Sequence, residues 1–506
     1  MKPEIDRRKF LGAAGAAFTI VPRHVLGGQG VVAPSDKITV GYIGIGTQGI
    51  RELIQMLPLP DIQVVAVCDP ERDTNDYVEF SKGSMLTTIR RFLEKPNWRE
   101  GVTGAPGGRL VGKEIVETHY AEKRATEKFK GVATYADFRE LLDKEKDVDA
   151  VKIMTPDHLH ATMAIAAMKK RKHVITHKPI ANRLHEGYLV FDAARESRVA
   201  TYFMPYGSGR GADMDRILAW IKDGAIGTVR EIHNWSNRPM WPQYQSLPTD
   251  RPAIPKDFDW DLWLGPSLDR PYHPNYTHTV FRGWYEFGGG SIADMGHYSL
   301  WPIFRAFRLG TPVKIDPSFT HTYAVVDKVS ARVRNDFSFP IACSLRFKMP
   351  AHDGWPDIDL LWYDGGMKPQ RPAELEEDGG ELPAEGVMFV GDKGKILEGR
   401  IIPASKMRAY GGPQPPTPEE RAAQRRAGTS AGPDQRLNEW IQACRGGPAP
   451  AGNFLNAVSL TETVNLAAVA LRAGRTIQYD PATRKITNVA EANKYLVREY
   501  RPGWEL

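Results

Sequence analysis

Cysteine is scarce in this sequence, and its scarcity excludes two kinds of cross-linked structure. Only three cysteines, Cys68, Cys343 and Cys444, occur among 506 residues, and they are widely separated. A disulfide framework needs a larger, closely spaced set, and a cysteine-based zinc site needs paired cysteines. We therefore expect neither a disulfide scaffold nor a metal site. Cys68 lies in a predicted core strand, where a buried, inert thiol is expected.

The sequence also lacks a strong charge imbalance and a long apolar run near its start. The net charge is +6, and the first 34 residues carry five basic and two acidic side chains, which leaves only +3 on the rest. A body so close to neutral gives no reason to expect nucleic acid or a charged membrane surface as a partner. The apolar run at 11–21 is shorter than the about 20 residues that span a bilayer, so no stable membrane span is expected there.

The first residues carry a targeting pattern. Two adjacent arginines, Arg7 and Arg8, precede the mildly apolar, alanine- and glycine-rich run at 11–21. This order and the modest hydrophobicity are typical of a twin-arginine export signal. We therefore predict a signal segment over 1–34 and a periplasmic or other extracytoplasmic location, reached by a route that carries folded proteins. A disordered basic tail is the alternative interpretation.

A glycine-rich turn is the most informative feature that is present. The sequence Gly-Ile-Gly-Thr-Gln-Gly at 44–49 follows a predicted strand at 38–43 and precedes a predicted helix at 50–57. In such a turn the first glycine permits the tight bend, the second lets a pyrophosphate approach, and the third lets helix and strand pack closely. A plain strand–turn–helix is the alternative. The pyrophosphate of a dinucleotide is expected at the helix start, held by Gly44, Gly46, Thr47, Gln48 and Gly49.

An acidic residue after the second predicted strand bears on which dinucleotide binds. Asp69 ends the strand at 64–68 and stands twenty residues past Gly49. Its carboxylate is expected to accept hydrogen bonds from ribose hydroxyls and to repel a 2′-phosphate, which favours NAD. Arg72, three residues later, would partly reverse that preference, so NADP stays open as a cofactor.

The alternation of strands and helices continues to about residue 180 and then changes. We predict a Rossmann domain over 35–180, with an insertion at 74–118 that is rich in glycine, threonine and charge. Over 181–506 the alternating segments are typical of antiparallel strands, with a hairpin turn at Asp392-Lys393-Gly394 and a late helix ended by Gly474. The sequence therefore predicts an α/β Rossmann domain followed by an α+β domain.

Three further motifs make the prediction more specific. They are Thr-Pro-Asp-His-Leu-His at 155–160, Thr-His-Lys-Pro at 176–179 and Gly-Gly-Gly-Ser-Ile-Ala-Asp-Met-Gly-His-Tyr at 288–298. With the glycine turn, in this order, the sequence from Lys37 to Trp504 resembles the Gfo/Idh/MocA family of glucose–fructose oxidoreductase and inositol dehydrogenase type. The resemblance implies a Rossmann domain joined to an open, mostly antiparallel sheet that carries a small carbohydrate substrate and often builds homo-oligomers.

The chemistry of hydroxyl oxidation explains why these motifs contain a lysine. A hydride passes to the nicotinamide while a base removes the hydroxyl proton. Lys178 lies at the carboxyl end of a predicted central strand, where open α/β sheets bind ligands. Burial beside a cationic nicotinamide would lower the pKa of this lysine and make it a usable acid or base. An exposed structural lysine is the alternative.

The last motif supplies the other candidates for proton transfer. Asp294 and Tyr298 are four residues apart on a predicted helix, so they share a face, and His297 lies near that face. The resemblance implies an aspartate and, four residues on, usually a histidine. Tyr298 occupies that position here, as in members of the glucose–fructose oxidoreductase type. Both Tyr298 and His297 stay open as the acid or base, and we place the role on Tyr298.

The resemblance also implies contacts on the nicotinamide side of the cofactor. Pro156 and His158 match family positions that pack there, and His177 stands where the family usually has a glutamate. The implied set is Thr155, Pro156, His158, His177 and Lys178. For His160 a structural role, capping or packing the helix start, is the alternative to a role in the site.

Aromatic residues cluster in the second predicted domain. Seven of the twelve tryptophans fall between Trp220 and Trp301. Aromatic faces stack on the C–H faces of sugar rings, which favours a carbohydrate pocket. We place Trp220 in the core and assign substrate contact to Trp241 and Trp284. Polar partners chosen by proximity in sequence are Asn234, Arg238, Tyr276 and Arg282.

Three functions are compatible with these features. The first is an NAD(H)-dependent oxidoreductase that acts on a ring hydroxyl of a sugar, glycoside or cyclitol; because free NAD(H) is scarce outside the cytoplasm, its cofactor is expected to be tightly held. The second is an NAD-dependent glycosidase or lyase that oxidises a ring hydroxyl transiently. The third is a non-catalytic sugar-binding relative, against which the presence of Lys178 and Asp294 argues.

Overall fold

The computed structural model describes residues 36–79, 81–124, 129–204, 214–412, 414, 417, 419 and 435–506. The predicted signal segment at 1–34 lies outside the described residues, as does most of the proline-rich stretch at 411–433.

A parallel sheet forms the first half of the chain. Its strands are β1 (Ile38–Ile43), β2 (Ile62–Cys68), β5 (Ala133–Tyr135), β6 (Ala150–Ile153), β7 (His173–His177) and β8 (Thr201–Met204), and a separate antiparallel pair is formed by β3 (Thr74–Tyr77) and β4 (Ala105–Gly107). The sheet order is β5-β2-β1-β6-β7-β8, with every pairing parallel. The strand order reverses between β1 and β6, where open α/β sheets bind ligands beyond the carboxyl ends of their strands.

Helices pack against this sheet, and the start of one of them is set by a capping side chain. They are α1 (Thr47–Met56), α2 (Ser84–Phe92), α3 (Arg109–Lys123), α4 (Phe138–Lys144), α5 (His160–Lys169) and α6 (Leu184–Ser197). The Asp137 side chain accepts a hydrogen bond from the Arg139 amide and so caps α4. The helix begins directly after Asp137, and β5 ends two residues before that cap.

The structure differs from the predicted limits of the first domain at two places. The sheet extends past residue 180 through α6 and β8, because the short edge strand Thr201–Met204 gives little sequence signal. The predicted insertion at 74–118 is shorter than expected, since α3 is the crossover between β2 and β5. Its buried face includes Gly112, packed against Ile45, and a glycine inside a helix obscures the helical pattern.

A nine-stranded mixed sheet forms the second half. Its strands are β9 (Val229–Trp235), β10 (Lys314–Phe319), β13 (Cys343–Met349), β14 (Ile358–Tyr363), β15 (Gly386–Gly391), β16 (Lys395–Leu397), β17 (Arg400–Ile402), β18 (Ile477–Asp480) and β19 (Lys485–Ile486), and β11 (Thr322–Val326) pairs with β12 (Val329–Val333) as a separate hairpin. The order is β17-β16-β15-β9-β14-β13-β10-β18-β19, and within it only β9 and β14 pair in parallel. The predicted fold class and the hairpin at 392–394 are therefore confirmed.

The helices of the second half pack against the mixed sheet and against the first domain. They are α7 (Met214–Lys222), α8 (Trp260–Leu264), α9 (His297–Phe307), α10 (Glu374–Glu377), α11 (Ala404–Ala409), α12 (Gln435–Cys444) and α13 (Val458–Ala473). Gly474 ends α13 in the left-handed conformation, with φ of 70°. Among the described residues, Phe454–Ala473 is long and apolar enough to cross a membrane, but 72% of its apolar stretch is buried inside the protein, as in a core helix.

The two halves share one apolar core. A single buried cluster includes Ile153 and Val174 of the parallel sheet together with Phe347 and Leu360 of the mixed sheet. Because apolar surface is buried continuously between the sheets, the carboxyl ends of β1, β6 and β7 face residues of the second half at close range. The candidate site lies at this junction.

Candidate active site

The glycine turn after β1 has the geometry that its sequence predicts. Gly44 has φ of +97°, and a Cβ there would lie 2.6 Å from the backbone of Met154 at the end of β6. A Cβ on Gly49 would lie 2.1 Å from the Gly44 carbonyl oxygen. Both positions therefore require glycine, one for the bend and one for the close packing of α1 on the turn.

Asp69 joins the end of β2 to the glycine turn. Its Oδ2 accepts a hydrogen bond of 2.6 Å from the Ile45 amide, and its Oδ1 accepts one of 2.8 Å from the Glu71 amide. Burial raises the pKa of Asp69 to about 6, although the two amides oppose the rise. The carboxylate is thus held at the edge of the cleft, with lone pairs left over for ribose hydroxyls.

A cleft with about 890 Å³ of open space runs along the carboxyl ends of the strands and is walled by both domains. Eight of the predicted cofactor residues line it: Gly44, Gly46, Thr47, Gln48, Gly49, Asp69, Thr155 and Pro156. Residues that sequence reasoning missed also line it: Tyr77, Met154, Leu159, Trp263, Thr277, His278, Thr279 and Trp504. Most of these come from distant parts of the chain, and no local motif marks them.

Four predicted cofactor residues, Arg72, His158, His177 and Lys178, lie outside the cleft lining. The guanidinium of Arg72 is half-exposed and lies 3.5 Å from the Asp257 carboxylate, outside the cleft lining. The ring of His158 is fully buried between Trp263 and Phe287, and its Nε2 is 3.0 Å from the Trp263 carbonyl oxygen. Burial lowers the pKa of His158 to about 3, so this histidine is a neutral packing residue between the domains. This placement does not support the predicted contact of His158 with the cofactor.

Lys178 and Asp294 meet across the domain junction. Lys178 follows the last residue of β7 and is buried, and its Nζ donates a hydrogen bond to Oδ1 of Asp294. Asp294 lies in a π-helical turn, Ile292–Gly296, that runs into α9. Such turns occur often at functional sites. The structure therefore brings these two motifs together, with one residue of the pair from each domain.

The electrostatics of this pair are those of a buried ion pair. Burial lowers the pKa of Lys178 below its usual value, against the opposing charge of Asp294. Burial acts to raise the pKa of Asp294, but the Lys178 ammonium and the Arg282 and Arg238 guanidinium groups hold it below its usual value. The Nε atoms of Arg282 and Arg238 lie 3.5 and 4.0 Å from the Asp294 carboxylate.

Tyr298 and His177 form a second contact between the domains. The Tyr298 hydroxyl lies 3.1 Å from Nε2 of His177, the last residue of β7. The Lys178 ammonium lies 4.8 Å from the centre of the Tyr298 ring. Burial lowers the pKa of His177 well below its usual value, so its ring is neutral. Asp294 and Tyr298 thus share one face, as predicted, and both adjoin Lys178.

His297 is placed in the interior. Its side chain is buried, Nδ1 lies 2.8 Å from the Ala293 carbonyl oxygen, and the ring stands edge-on to Phe203. Burial lowers the pKa of His297 to about 3. A histidine held neutral in this way is poorly suited to carry a proton near neutral pH. The structure therefore favours Tyr298 over His297.

His160 acts as a structural residue. Its Nδ1 lies 2.6 Å from the Pro179 carbonyl oxygen and its Nε2 lies 2.9 Å from the Thr155 carbonyl oxygen. The ring thereby ties the loop after β6 to the loop after β7. These are the loops that carry Thr155 and Lys178.

The aromatic predictions are mostly corrected. Trp220 is fully buried, as expected, but Trp284 is also buried in an aromatic cluster, with Nε1 donating to the Asn275 carbonyl and the ring stacked on Tyr244. Trp241 is buried and, like Trp284, lies outside the cleft lining; the tryptophans that line the cleft are Trp263 and Trp504.

Of the polar residues predicted to contact the substrate, some lie near Asp294 and others lie elsewhere. Tyr276 belongs to that aromatic cluster, and Asn234 is bonded to Ser299 and Gly386. Only Arg238 and Arg282 of the polar set approach Asp294. Among the described residues, no group of three or more histidine, cysteine, aspartate or glutamate side chains is placed to hold a metal ion.

The fold and the cleft together define a two-domain dinucleotide-binding protein. The glycine turn, the start of α1 and Asp69 form a cradle in which any Cβ at 44 or 49 would clash with backbone, and these donors fit a pyrophosphate and a ribose.

Comparison with protein families gives the narrower assignment. The Gfo/Idh/MocA model described as an oxidoreductase family with an NAD-binding Rossmann fold matches residues 96–204. The C-terminal alpha/beta domain model of the same family matches residues 215–330 and 410–506, so the two models cover more than half of the chain. This chain belongs to the Gfo/Idh/MocA oxidoreductase family, and NAD is its cofactor class.

Several characterised proteins are similar to parts of this chain. A levoglucosan dehydrogenase of Pseudarthrobacter phenanthrenivorans is 31% identical over 112 residues, which is 21% of this chain and 28% of the relative. A glycosyl hydrolase family 109 protein of Shewanella baltica is 24% identical over 243 residues, 44% of each chain. The matches thus span less than half of the length of these relatives.

Solved structures resemble this fold more broadly. The WlbA dehydrogenase of Bordetella pertussis, solved with NADH and UDP-GlcNAcA, is 15% identical, with 88% of this chain and 98% of the other covered and a TM-score of 0.49. The aldose–aldose oxidoreductase of Caulobacter crescentus, solved with glycerol, is 15% identical, with 87% and 99% covered and a TM-score of 0.44.

Proposed function

We propose that this protein is an NAD(H)-dependent oxidoreductase that acts on a ring hydroxyl of a sugar, glycoside or cyclitol and holds its cofactor tightly. The observation that carries the proposal is the hydrogen bond from Lys178 to Asp294, formed between the two domains at the carboxyl end of β7. A buried ammonium and carboxylate beside a dinucleotide cleft form the kind of acid–base group that hydroxyl oxidation needs.

The chain's own residues would hold the cofactor along the cleft. The glycine turn and the first amides of α1 would bind the pyrophosphate, Asp69 the ribose hydroxyls, and Thr155 and Pro156 the nicotinamide side. The cofactor supplies the hydride acceptor when bound. Lys178, Asp294 and Tyr298 would orient the substrate hydroxyl and take its proton, since all three adjoin one another.

Tight retention of the cofactor is supported by residues that cover the glycine turn. A Cβ on Gly46 would lie 2.9 Å from a ring carbon of Tyr77, so this ring lies directly over the turn. The ring of His278, from the second domain, stands edge-on to Tyr77 with 4.1 Å between centres. Both rings also line the cleft, so a cofactor bound along the turn would be enclosed by side chains from two separate segments of the chain.

The spectrum of the purified protein tests the proposal. Reduced nicotinamide absorbs in the near ultraviolet where oxidised nicotinamide does not, so a panel of sugars, glycosides and cyclitols is added to the protein as isolated. We expect at least one member to reduce the bound cofactor, and Lys178→Ala to abolish that reduction. No reduction by any member, with cofactor present, would contradict the proposal.

A redox-neutral glycosidase reaction is the second candidate, favoured by the likeness to the glycosyl hydrolase family 109 proteins over 243 residues. In that reaction the same Lys178–Asp294–Tyr298 group would move the protons of a transient oxidation and elimination. Release of the aglycone from a nitrophenyl glycoside, without net change in the nicotinamide spectrum, would select it. Binding of sugar with neither change would select the non-catalytic alternative.

We also propose export by the twin-arginine route and self-association through the mixed sheet. The arginines at 7 and 8 and the run at 11–21 support export. Cell fractionation of the full chain and of Arg7→Lys/Arg8→Lys tests it, since the variant is expected to stay in the cytoplasm. Sedimentation equilibrium tests self-association, and a monomer at micromolar concentration would contradict it.

A further inference from the structure

The carboxylate at the reaction centre is surrounded by more positive than negative charge. Lys178 donates a hydrogen bond to Asp294, and the Nε atoms of Arg282 and Arg238 lie within 4.0 Å of the same carboxylate. A second buried carboxylate that acts on Lys178 and Arg282 is that of Asp157, whose Oδ2 accepts a hydrogen bond from the Gly289 amide. Three cations therefore face two carboxylates, before the cationic nicotinamide is added.

Arg282 is the cation whose hydrogen-bonding capacity is least used. Its side chain is 17% exposed and lines the cleft. It packs 4.5 Å from the centre of the Phe281 ring, and it donates no hydrogen bond to any residue in the part of the chain that the structure describes. Buried polar groups are nearly always hydrogen-bonded. A largely buried guanidinium that opens on a cleft is therefore available to bind an acceptor group that enters the cleft.

The position of Arg282 distinguishes the substrate from the cofactor phosphates as that ligand. Asp294, 3.5 Å from Arg282, bonds Lys178 at the end of β7. The glycine turn that would bind the pyrophosphate follows β1, two strand spacings away, which is about 10 Å. Arg282 thus lies beside the Lys178–Asp294 pair, to which the proposed function assigns the substrate hydroxyl. A planar guanidinium fork matches a carboxylate with two parallel hydrogen bonds.

We propose that Arg282, with Arg238 beside it, binds a carboxylate carried by the substrate, so that the substrate class is acidic sugars: uronic acids and their glycosides. This assignment rests on the proposed function, because it names the substrate of the same site. A bound carboxylate supplies the acceptor that Arg282 lacks and offsets the excess positive charge beside an oxidised nicotinamide.

Matched pairs of sugars test the assignment. Glucose and glucuronate, galactose and galacturonate, and their methyl glycosides are compared as reductants of the bound nicotinamide and as stabilisers of the protein in a thermal-shift measurement. The variants are Arg282→Met, Arg282→Lys and the matched surface control Arg195→Met, whose residue lies on α6 and pairs with Asp192 at 2.7 Å. Cofactor content and circular dichroism are recorded for each variant.

We expect the uronate of each pair to be preferred by about 10- to 100-fold, the range of a hydrogen bond to a charged group. Arg282→Met should lose that preference and keep its cofactor, Arg282→Lys should be intermediate, and Arg195→Met should equal the parent. Reduction by neutral sugars at equal or higher rates, unchanged in Arg282→Met, would overturn the assignment and leave the proposed oxidoreductase intact.

The two remaining outcomes separate the assignment from the proposed function. If no sugar reduces the nicotinamide, the proposed function fails. The carboxylate site would then still be supported if uronates stabilise the parent protein and this stabilisation is lost in Arg282→Met. If uronates do not stabilise the parent protein, the assignment of a carboxylate site is overturned. Loss of cofactor from folded Arg282→Met would make Arg282 a cofactor ligand and would also overturn the assignment.

Discussion

The hydroxyl of Tyr298 lies 3.1 Å from Nε2 of His177, so a helix of the second domain and the last residue of a Rossmann strand meet through one hydrogen bond. Because His177 is buried and neutral, its ring can accept from the phenol or donate to it, depending on the tautomer. Proton transfer between these two groups would therefore require contact between the domains.

We predict that Tyr298→Phe loses far more activity than His297→Asn. The phenol adjoins Lys178 and His177, whereas the His297 ring is bonded to its own helix and buried. A loss of about 10²- to 10⁴-fold in turnover is expected for Tyr298→Phe, the range of general acid–base catalysis. Steady-state rates of both folded, cofactor-loaded variants decide this. The reverse ranking would assign the role to His297.

We predict that Lys178→Ala abolishes turnover and leaves the cofactor bound. Lys178 bonds Asp294 and lies outside the lining of the cofactor cleft, so its loss removes a proton carrier and not a phosphate ligand. Single-turnover reduction and the cofactor content of the purified variant are measured together. A rate within about tenfold of the parent would show that Lys178 is not the acid or base.

We predict tighter binding of NAD than of NADP, with Asp69 as the determinant. Asp69 lines the cleft, while Arg72 is paired with Asp257 outside it. Asp69→Asn should weaken NAD by about tenfold or more, because a charged acceptor is lost. Calorimetric titration of the apo protein with each cofactor provides the measurement. Tighter binding of NADP by the parent would mean that Arg72 dominates.

The same carboxylate predicts a pH dependence. Burial raises the pKa of Asp69 to about 6 in the absence of cofactor, so below this pH the group is protonated and accepts ribose hydroxyls less well. NAD affinity should therefore rise as the pH rises through about 6, and Asp69→Asn should show a flat profile over that range. An equal slope in parent and variant would assign the titration to another group.

We predict that Arg498→Met destabilises the protein by about 3–5 kcal/mol, because it leaves buried carboxylates without their partner. Arg498 is buried, and its guanidinium donates to Glu186 at 2.7 Å and to Glu286 at 2.8 Å. The free energy of unfolding in urea is the measurement. The matched control is Arg195→Met, an exposed pair for which a change under about 1 kcal/mol is expected.

The acid sensitivity of this network has a definite sign. Burial acts to raise the pKa of Glu286, but Arg498 and Arg183 hold it at about 2, below the usual 4.5. A lowered carboxyl pKa contributes stability above pH 4.5 that is lost as the pH falls toward 2. Glu286→Gln should therefore remove part of the acid-induced loss of stability. If the pH dependence of the free energy of unfolding is the same in Glu286→Gln as in the parent, the role assigned to Glu286 is contradicted. If Arg195→Met and Arg498→Met lower the free energy of unfolding equally, the role assigned to Arg498 is contradicted.

Residues fixed by local pattern were predictable from the sequence, and residues brought together by tertiary packing were not. The glycine turn, Asp69, Lys178 and Asp294 each lie at a strand end or in a short motif, and the structure places them at one junction. Tyr77, which covers the glycine turn, and Trp504, which lines the cleft, lie in segments far from these motifs in sequence, so no local pattern predicts their place in the site. Trp284 was misassigned because an aromatic residue near a motif in sequence gives no sign of whether its ring faces the cleft or the core.

Packing also explains the other differences. His297 and Tyr298 are adjacent in sequence, yet the helix directs one ring into the interior and the other toward β7. The strand Thr201–Met204 is an edge strand of four residues, too short for its period to be read. His158 matches a family motif, but its ring is enclosed by Trp263 and Phe287, which lie more than a hundred positions away.

The reach of Arg498 across the chain has a consequence for biosynthesis. This residue bonds Asn182, 316 positions earlier, and Trp504 just beyond it forms part of the cleft wall. A ribosome-bound chain of which only the Rossmann strands have emerged has the glycine turn. It lacks both the Trp504 part of the cleft wall and the hydrogen bonds of Arg498. Durable retention of the dinucleotide is therefore expected only after the C-terminal segment has left the ribosome and packed on the Rossmann domain. A chain truncated before Arg498 should release bound NAD much faster than the full chain.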